Sequence, residues 1–302
     1  MLRVPTSGFY DRAARQMGAL TARAETLQTQ VATGKRLQAP SDDALAYRRL
    51  GGIARAEADA QVYQGNLKLA GGVLAQADTT LGAVGEQLQS ASELALQAAN
   101  GTLSPENRRA IAVQLRGVAE TLASLANTTD ARGEPLFGGA DGKLAAARRA
   151  DGGYDFATLA PSAVPIGEGQ SVAVSEPAQR VFGMRGRNGP TDIIAVVATL
   201  AAALEAGGDV SGATGVAIED LKVATDQAAA VQASLGARAA RVELAQAQML
   251  DQATDREAAR SDLEDADVTE AITELQKTMT VLQATQASFS KLQGLSLFDY
   301  LR

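Results

Sequence analysis

From Tyr10 the chain carries apolar residues at alternating spacings of three and four: Tyr10, Ala13, Met17, Leu20, Ala24, Leu27 and Val31. That is the stripe of a coiled-coil helix. The stripe stops at Thr33-Gly34, where glycine suits a left-handed helix end, and Pro40-Ser41-Asp42-Asp43 offers a cap and first-turn acids for a second helix. The second seam is longer: Ile53, Ala56, Ala60, Tyr63, Leu67, Ala70, Leu74, Ala77, Leu81, Val84, Leu88, Ala91 and Ala95. Unbroken to Ala99, such a helix spans about 85 Å at about 1.5 Å per residue, which predicts a rod. Gly71-Gly72, Gly82 and Gly85 lower helix propensity within it and mark where a bend is expected.

Asn100-Gly101-Thr102 reads as a turn, and Ser104-Pro105 as an N-cap followed by proline at the first helical position. The third seam, Ile111, Leu115, Val118, Leu122 and Leu125, predicts a helix folded back antiparallel on the second. Between Thr128 and about Pro190 the heptads vanish and glycine and proline cluster. Alternating runs such as Ser171-Val172-Ala173-Val174 predict a small β-rich insertion there. Helical patterning returns from Asp192 to Glu205, breaks at Gly207-Gly208, and resumes from about Thr214 to near Ala259. The last seam, Val268, Ile272, Leu275, Met279, Leu282, Gln286 and Phe289, mirrors the first. Beyond it Leu295, Leu297, Phe298 and Leu301 form an apolar tip, and Phe9, Leu37 and Leu292 likewise lack evident cover within a single helical hairpin.

Composition narrows the function classes. The apolar fraction is 46% with aromatics at 4% and no Trp, a composition in which small residues let helices approach closely. Absence of Cys and His removes thiol nucleophiles, imidazole bases, disulfides and the usual zinc sites. A formal charge of -7 gives no general attraction to phosphate, so nucleic acid is not an expected partner. The first twenty residues hold no apolar run of signal-peptide or membrane-spanning kind, so neither a cleaved signal nor membrane insertion is expected.

Asp262, Glu264, Asp265 and Asp267 lack the alternation and glycine turn of a calcium loop and read as a helix start or hinge. Gly183 to Gly189 has glycines but no strand-to-helix context for phosphate, and reads as an exposed turn. The sequons at Asn100 and Asn127 read as turns and caps. No catalytic, cofactor or metal residues are nominated, and an enzyme or ligand site would have to lie in residues 138 to 190.

The order of these features resembles the flagellin family, over most of the chain. Thr33-Gly34-Lys35-Arg36 with Pro40-Ser41-Asp42-Asp43 is similar to that family's loop between its terminal and long helices, and Leu263-Glu264-Asp265-Ala266-Asp267 to the returning connection. Leu125-Ala126-Asn127-Thr128-Thr129, then Leu136-Phe137-Gly138-Gly139, the run Val164 to Val174, and the ending Leu295 to Tyr300 look more like a hook–filament junction subunit than a filament subunit. The terminal Leu301-Arg302 looks more like the latter.

The resemblance implies a mainly α, elongated helical rod with paired terminal coiled-coil helices and a small β-rich insertion. Its parts would be 1–35 with 265–302 as the assembly layer, 36–132 with 190–264 as the rod, and 133–189 as the insertion. It implies a structural flagellar part outside the cell, exported without a cleaved signal, whose partners are copies of itself in a ring, an adjacent hook-associated protein, flagellin and an export chaperone. The expected assembly interface is Tyr10, Met17, Leu20, Leu27, Val31, Val268, Ile272, Leu275, Met279, Leu282, Phe289, Leu295, Leu297, Phe298 and Leu301. A lone terminal pair buries little area against its ordering entropy, so folding on assembly is expected. A filament subunit and a soluble helical signalling rod stay open as alternatives.

Overall fold

The computed structural model describes residues 6–138, 143–159 and 162–300, with the side chains of residues 6, 7, 9 and 292–300 left undescribed. Phe9, Leu292, Leu295, Leu297, Phe298 and Leu301 of the expected apolar tip and edges therefore lie outside the described side chains. The fold is mainly α. The helices are α1 (Thr6–Thr33), α2 (Ala44–Ala98), α3 (Pro105–Ala126), α4 (Ala178–Phe182), α5 (Ile193–Ala206), α6 (Ser211–Glu264) and α7 (Val268–Tyr300). Among the described residues six short strands form separate antiparallel pairs: β1 (Ala146–Arg148) with β2 (Tyr154–Phe156), β3 (Val164–Gly167) with β4 (Gln170–Val172), and β5 (Gly183–Gly186) with β6 (Gly189–Asp192). The chain divides into two compact units, Met1–Ala58 with Gln252–Arg302, and Asp59–Asp251.

The core of the second unit follows the heptad closely. On α2 every seam member from Leu67 onward is buried, Leu67, Ala70, Leu74, Ala77, Leu81, Val84, Leu88, Ala91 and Ala95, with Val73, Thr80 and Ala98 beside them. The α6 stripe answers with Thr214, Ala217, Leu221, Ala224, Ala228, Val231, Leu235 and Val242. Alternation of leucine with alanine lets large side chains on one helix fill the space left by small ones on the next, and each buried leucine contributes about 1.5–3 kcal/mol. Antiparallel running of α2 and α6 is marked by the Gln246 amide donating to the Leu67 carbonyl at 3.4 Å and that of Gln232 to Asp78 at 2.9 Å. The glycines within α2 do not interrupt the helix.

Capping sets the shorter helices. The Ser104 hydroxyl accepts the Asn107 N–H at 3.2 Å with Pro105 at the first helical position, and Asp192 accepts the Ala195 N–H at 2.7 Å to start α5. Burial pushes the Asp192 carboxyl above its ordinary range, against the opposing pull of the Ala195 and Ile194 amides. Gly207 and Gly208 both take positive φ and end α5 where the sequence breaks. One expectation shifts: α3 makes its closest backbone approach to α5 rather than to α2.

The insertion closes on a small aromatic core. Phe182 stacks on Phe156 at 5.8 Å between ring centroids and meets Phe137 edge-on at 5.9 Å. Asn127 caps α3 and pins β1: its amide donates to the Ala146 carbonyl and its oxygen accepts the Ala146 N–H, both at 2.9 Å. Buried charges are paired. Glu176 meets Arg238 and Arg180, Asp220 accepts the Arg187 N–H at 2.7 Å, and Asp130 holds Arg132 through both carboxylate and backbone contacts. Leu81 is 2% exposed whereas Leu96 on the same helix is 60% exposed. Leu81→Ala should therefore lower unfolding free energy by about 2–5 kcal/mol in denaturant titrations of the full chain, and Leu96→Ala should leave it nearly unchanged.

Candidate assembly surface

The first unit joins the two ends of the chain. Helices α1 and α7 run antiparallel: Tyr10 meets Phe289 edge-on with ring centroids 5.6 Å apart, and Arg23 pairs with Glu274 at 3.3 Å. Along α1, Tyr10, Met17, Leu20, Leu27 and Val31 are all half-buried, as are Ala13 and Ala24, while the residues between them are mostly exposed. The predicted seam is therefore the contact face of α1.

On α7 the seam differs from the sequence reading. Leu275, Leu282 and Phe289 lie in it, but the positions between them are Ala271, Thr278 and Thr285. Ala271 and Thr278 are each 5% exposed, whereas Val268, Ile272 and Met279 are 40%, 40% and 49% exposed. Gln286, also expected in the seam, is exposed, because a close helix pair places the small residues Ala271, Thr278 and Thr285 at every second contact. The Thr285 hydroxyl donates to the Val281 carbonyl at 2.7 Å, so it enters the seam with its polar group satisfied. Val268, Ile272 and Met279 then form a second apolar stripe, roughly 80° round the helix from the seam at 3.6 residues per turn. Leu295, Leu297 and Phe298 belong to α7 by backbone alone, and Leu301 lies outside the described residues.

A clasp ties the pair at one end. The Arg36 N–H donates to the Glu264 carbonyl at 2.7 Å and the Ala266 N–H to the Gly34 carbonyl at 2.8 Å, which makes Lys35 and Asp265 an antiparallel bridge. Side chains repeat the link: Lys35 Nζ meets Glu264 Oε1 at 2.5 Å, and the Arg36 guanidinium donates to the Leu263 carbonyl at 2.9 Å. Gly34 takes φ +70 after the last residue of α1, with its N–H on the Gln30 carbonyl at 2.8 Å. Leu37 is buried beneath the linker.

The two acids of the linker act as caps. Asp42 Oδ2 accepts the Gln38 and Ala39 N–H groups at 3.0 and 2.9 Å, and Asp43 Oδ1 accepts those of Leu45 and Ala46, both at 3.0 Å. The Ala39 and Gln38 amides hold the Asp42 carboxyl below its usual range, and the Ala46 amide does the same for Asp43. Among the described residues no cluster of three or more His, Cys, Asp or Glu is arranged to hold a metal, and no helix is long and apolar enough to cross a membrane. The Gly183 to Gly189 segment is the β5–β6 hairpin with Arg187 and Asn188 at its tip.

Residues 6–141 match the bacterial flagellin N-terminal helical region, and residues 218–301 match the bacterial flagellin C-terminal helical region. The chain belongs to the bacterial flagellin family. Membership places it in the bacterial flagellum, as a part that assembles with other flagellar components. Among relatives of this flagellin-family chain, flagellar hook-associated protein 3 of Salmonella typhimurium is 26% identical and aligned over 100% of both chains. That of Escherichia coli is 29% identical, covering 89% of this chain and 90% of the relative. The crystal structure of the flagellar junction protein FlgL from Legionella pneumophila shares the fold with a TM-score of 0.60 and 16% identity, covering 72% of this chain and 100% of that one.

Two outcomes follow from the clasp. Gly34→Val puts a branched side chain at positive φ, at a cost of about 1–2 kcal/mol, and hydrogen exchange of the Ala266 amide should quicken; unchanged exchange would show the clasp does not rest on this turn. Because the Asp42 and Asp43 pKa values are lowered by folding, their contribution is fully present above the ordinary carboxylate pKa of about 3.9. It is lost as pH falls through the depressed folded values. Protection factors for amides in residues 36–46, which correct for the intrinsic pH dependence of exchange, should thus fall on acidification below about pH 4 and stay flat between neutral pH and about pH 5.

Proposed function

We propose that the chain is the structural subunit that joins hook to filament, assembling through its terminal helices. The observation that carries this reading is the end-to-end match with flagellar hook-associated protein 3 of Salmonella typhimurium. The match to the Escherichia coli protein supports it and favours the junction over the filament subunit or a signalling rod. On this reading residues 1–35 and 265–302 form the assembly layer, 36–132 and 190–264 the helical body, and 133–189 the insertion. The partners are copies of this chain in a ring, an adjacent hook-associated protein on one side and flagellin on the other. Export proceeds without a cleaved signal and with a chaperone on the C-terminal helices. The role is mechanical, with no catalytic step.

The physical support lies in α7. Its apolar face is wider than one partner helix covers: α1 takes Leu275, Leu282 and Phe289, and Val268, Ile272 and Met279 stay exposed. A second helix laid along that stripe, from a neighbouring subunit, completes the burial. No described α1 side chain is fully buried, so the pair gains little by itself and folds fully on assembly. The sequence stays apolar beyond the stripe, at Leu295, Leu297, Phe298 and Leu301.

Electron microscopy tests the assignment. Purified chain should remain monomeric alone and should cap isolated hooks, whereas spontaneous growth of long fibres would identify a filament subunit. Replacing Val268, Ile272 and Met279 together with serine should abolish addition to hooks and motility, with the helical circular dichroism of the monomer retained. Normal addition by that variant would remove the stripe from the interface.

A further inference from the structure

On the α2 and α6 segments of the first unit the exposed charge is sorted by helix. The first turns of α2 present Arg48, Arg49 and Arg55 to solvent, and the last turns of α6 present Asp255 and Asp262. Arg48 and Arg55 are seven residues apart, as are Asp255 and Asp262, so each pair lines one side of its helix at a spacing of about 10.5 Å. These sides point away from the packed faces. On α2 the covered residues are Ala46, Leu50, Ile53 and Glu57, and on α6 they are Arg256, Arg260, Leu263 and Glu264.

Two of the charges on the covered faces, Arg260 and Glu264, are paired within the chain, and the buried Arg256 Nε has no hydrogen-bond partner among the described residues. Arg260 pairs with Glu257 at 2.6 Å and faces Glu57, while Glu264 holds Lys35. Arg48, Arg55, Asp255 and Asp262 form no ion pair among the described residues; the Arg55 Nε only donates to the Gly51 carbonyl of its own helix at 3.1 Å. Small residues stand between the charges on both stripes, Gly51 and Gly52 on α2, Ala258 and Ala259 on α6. Another helix can therefore come close enough for the charges to meet.

The spacings match as well. Helices α2 and α6 run antiparallel. Because both stripes repeat at seven residues, the setting that brings Arg48 of one copy to Asp262 of the next also brings Arg55 to Asp255. Copies arranged side by side round an axis bring unlike faces of adjacent molecules together, a heterologous contact that closes into a ring.

The geometry points to a lateral contact between copies of this chain, in which the Arg48 and Arg55 stripe of one molecule lies against the Asp255 and Asp262 stripe of the next. It rests on the reading of the chain as a ring-forming junction subunit, and names which surfaces meet. The exposed Leu45, 52% accessible and flanking the arginine stripe, supplies an apolar edge to the contact. Charge of this kind fixes partner face and register more than it supplies affinity.

The native chain has no cysteine, so engineered ones report cleanly. In cells carrying the full chain as Arg48→Cys with Asp262→Cys, or Arg55→Cys with Asp255→Cys, a short bis-maleimide added to isolated flagella should link copies into a ladder of multimers. The mismatched pair Arg48→Cys with Asp255→Cys should link far less. Equal linking by matched and mismatched pairs, or none by the matched pairs in flagella that contain the protein, overturns the contact and leaves the junction reading intact. Absence of the protein from the hook–filament boundary fails the junction reading itself.

Charge exchange gives a second arm. Arg48→Glu with Arg55→Glu, or Asp255→Lys with Asp262→Lys, should cut ring incorporation about tenfold or more through like-charge repulsion. The four changes combined in one chain should restore it, with the monomer's thermal melt unchanged throughout. A folded fourfold variant that stays excluded, or two-change variants that incorporate normally, overturns the proposal.

Discussion

Two backbone hydrogen bonds, from Arg36 to Glu264 and from Ala266 to Gly34, join segments that lie at opposite ends of the chain. Closing so long a loop is costly once and then nearly independent of length, because the closure entropy grows only logarithmically. The rest of the first unit follows from that closure. With residues 34–36 beside 263–266, α1 and α7 leave the clasp side by side, so their heptads start in register and reach Tyr10 against Phe289 at the far end. The same closure explains why the linker is so closely specified. A left-handed glycine ends α1, Asp42 and Asp43 accept four backbone donors between them, and Leu37 is buried under the turn.

Small residues govern how closely the helices then pack, and the two units use them differently. In the second unit alanine alternates with leucine or valine on α2 and α6, and both faces of the ladder are filled. In the first unit alanine and threonine alternate with leucine on α7, but only one narrow helix lies against them. The wide apolar face of α7 and the narrow seam of α1 do not match in area. That mismatch is the physical reason to assign the terminal helices to subunit contacts rather than to a self-sufficient hairpin.

Much of this was readable from spacing alone. The α2 seam from Leu67, the α1 seam, the Ser104 cap, and the glycine stops at Gly34 and Gly207 each rest on a local rule that tertiary context did not override. What was misread involved size. Val268, Ile272 and Met279 fit the heptad by position, and nothing local distinguishes a large residue that faces the partner helix from one that faces away. Ala271, Thr278 and Thr285 carry no hydrophobic bulk that would mark them as seam positions. The insertion was legible as β-rich but not as three hairpins, because strands of three or four residues carry no full period. The five-residue α4 and the Asn127 bridge to Ala146 depend on contacts distant in sequence.

Buried charge makes the division of labour between the units explicit. In the second unit Glu176, Asp220 and Asp130 are each enclosed and each satisfied by arginine side chains or backbone donors of the same chain. Charge enclosed in this way costs stability if a partner is removed, so it holds a shape and is unsuited to changing neighbours. In the first unit Arg48 and Arg55 on α2 and Asp255 and Asp262 on α6 are exposed and form no ion pair among the described residues, and an apolar stripe is left open on α7. Surfaces of that kind gain most when a second surface arrives. The sequence therefore encloses its paired charge in the second unit, and leaves exposed charge and an open apolar stripe in the unit proposed to meet other subunits.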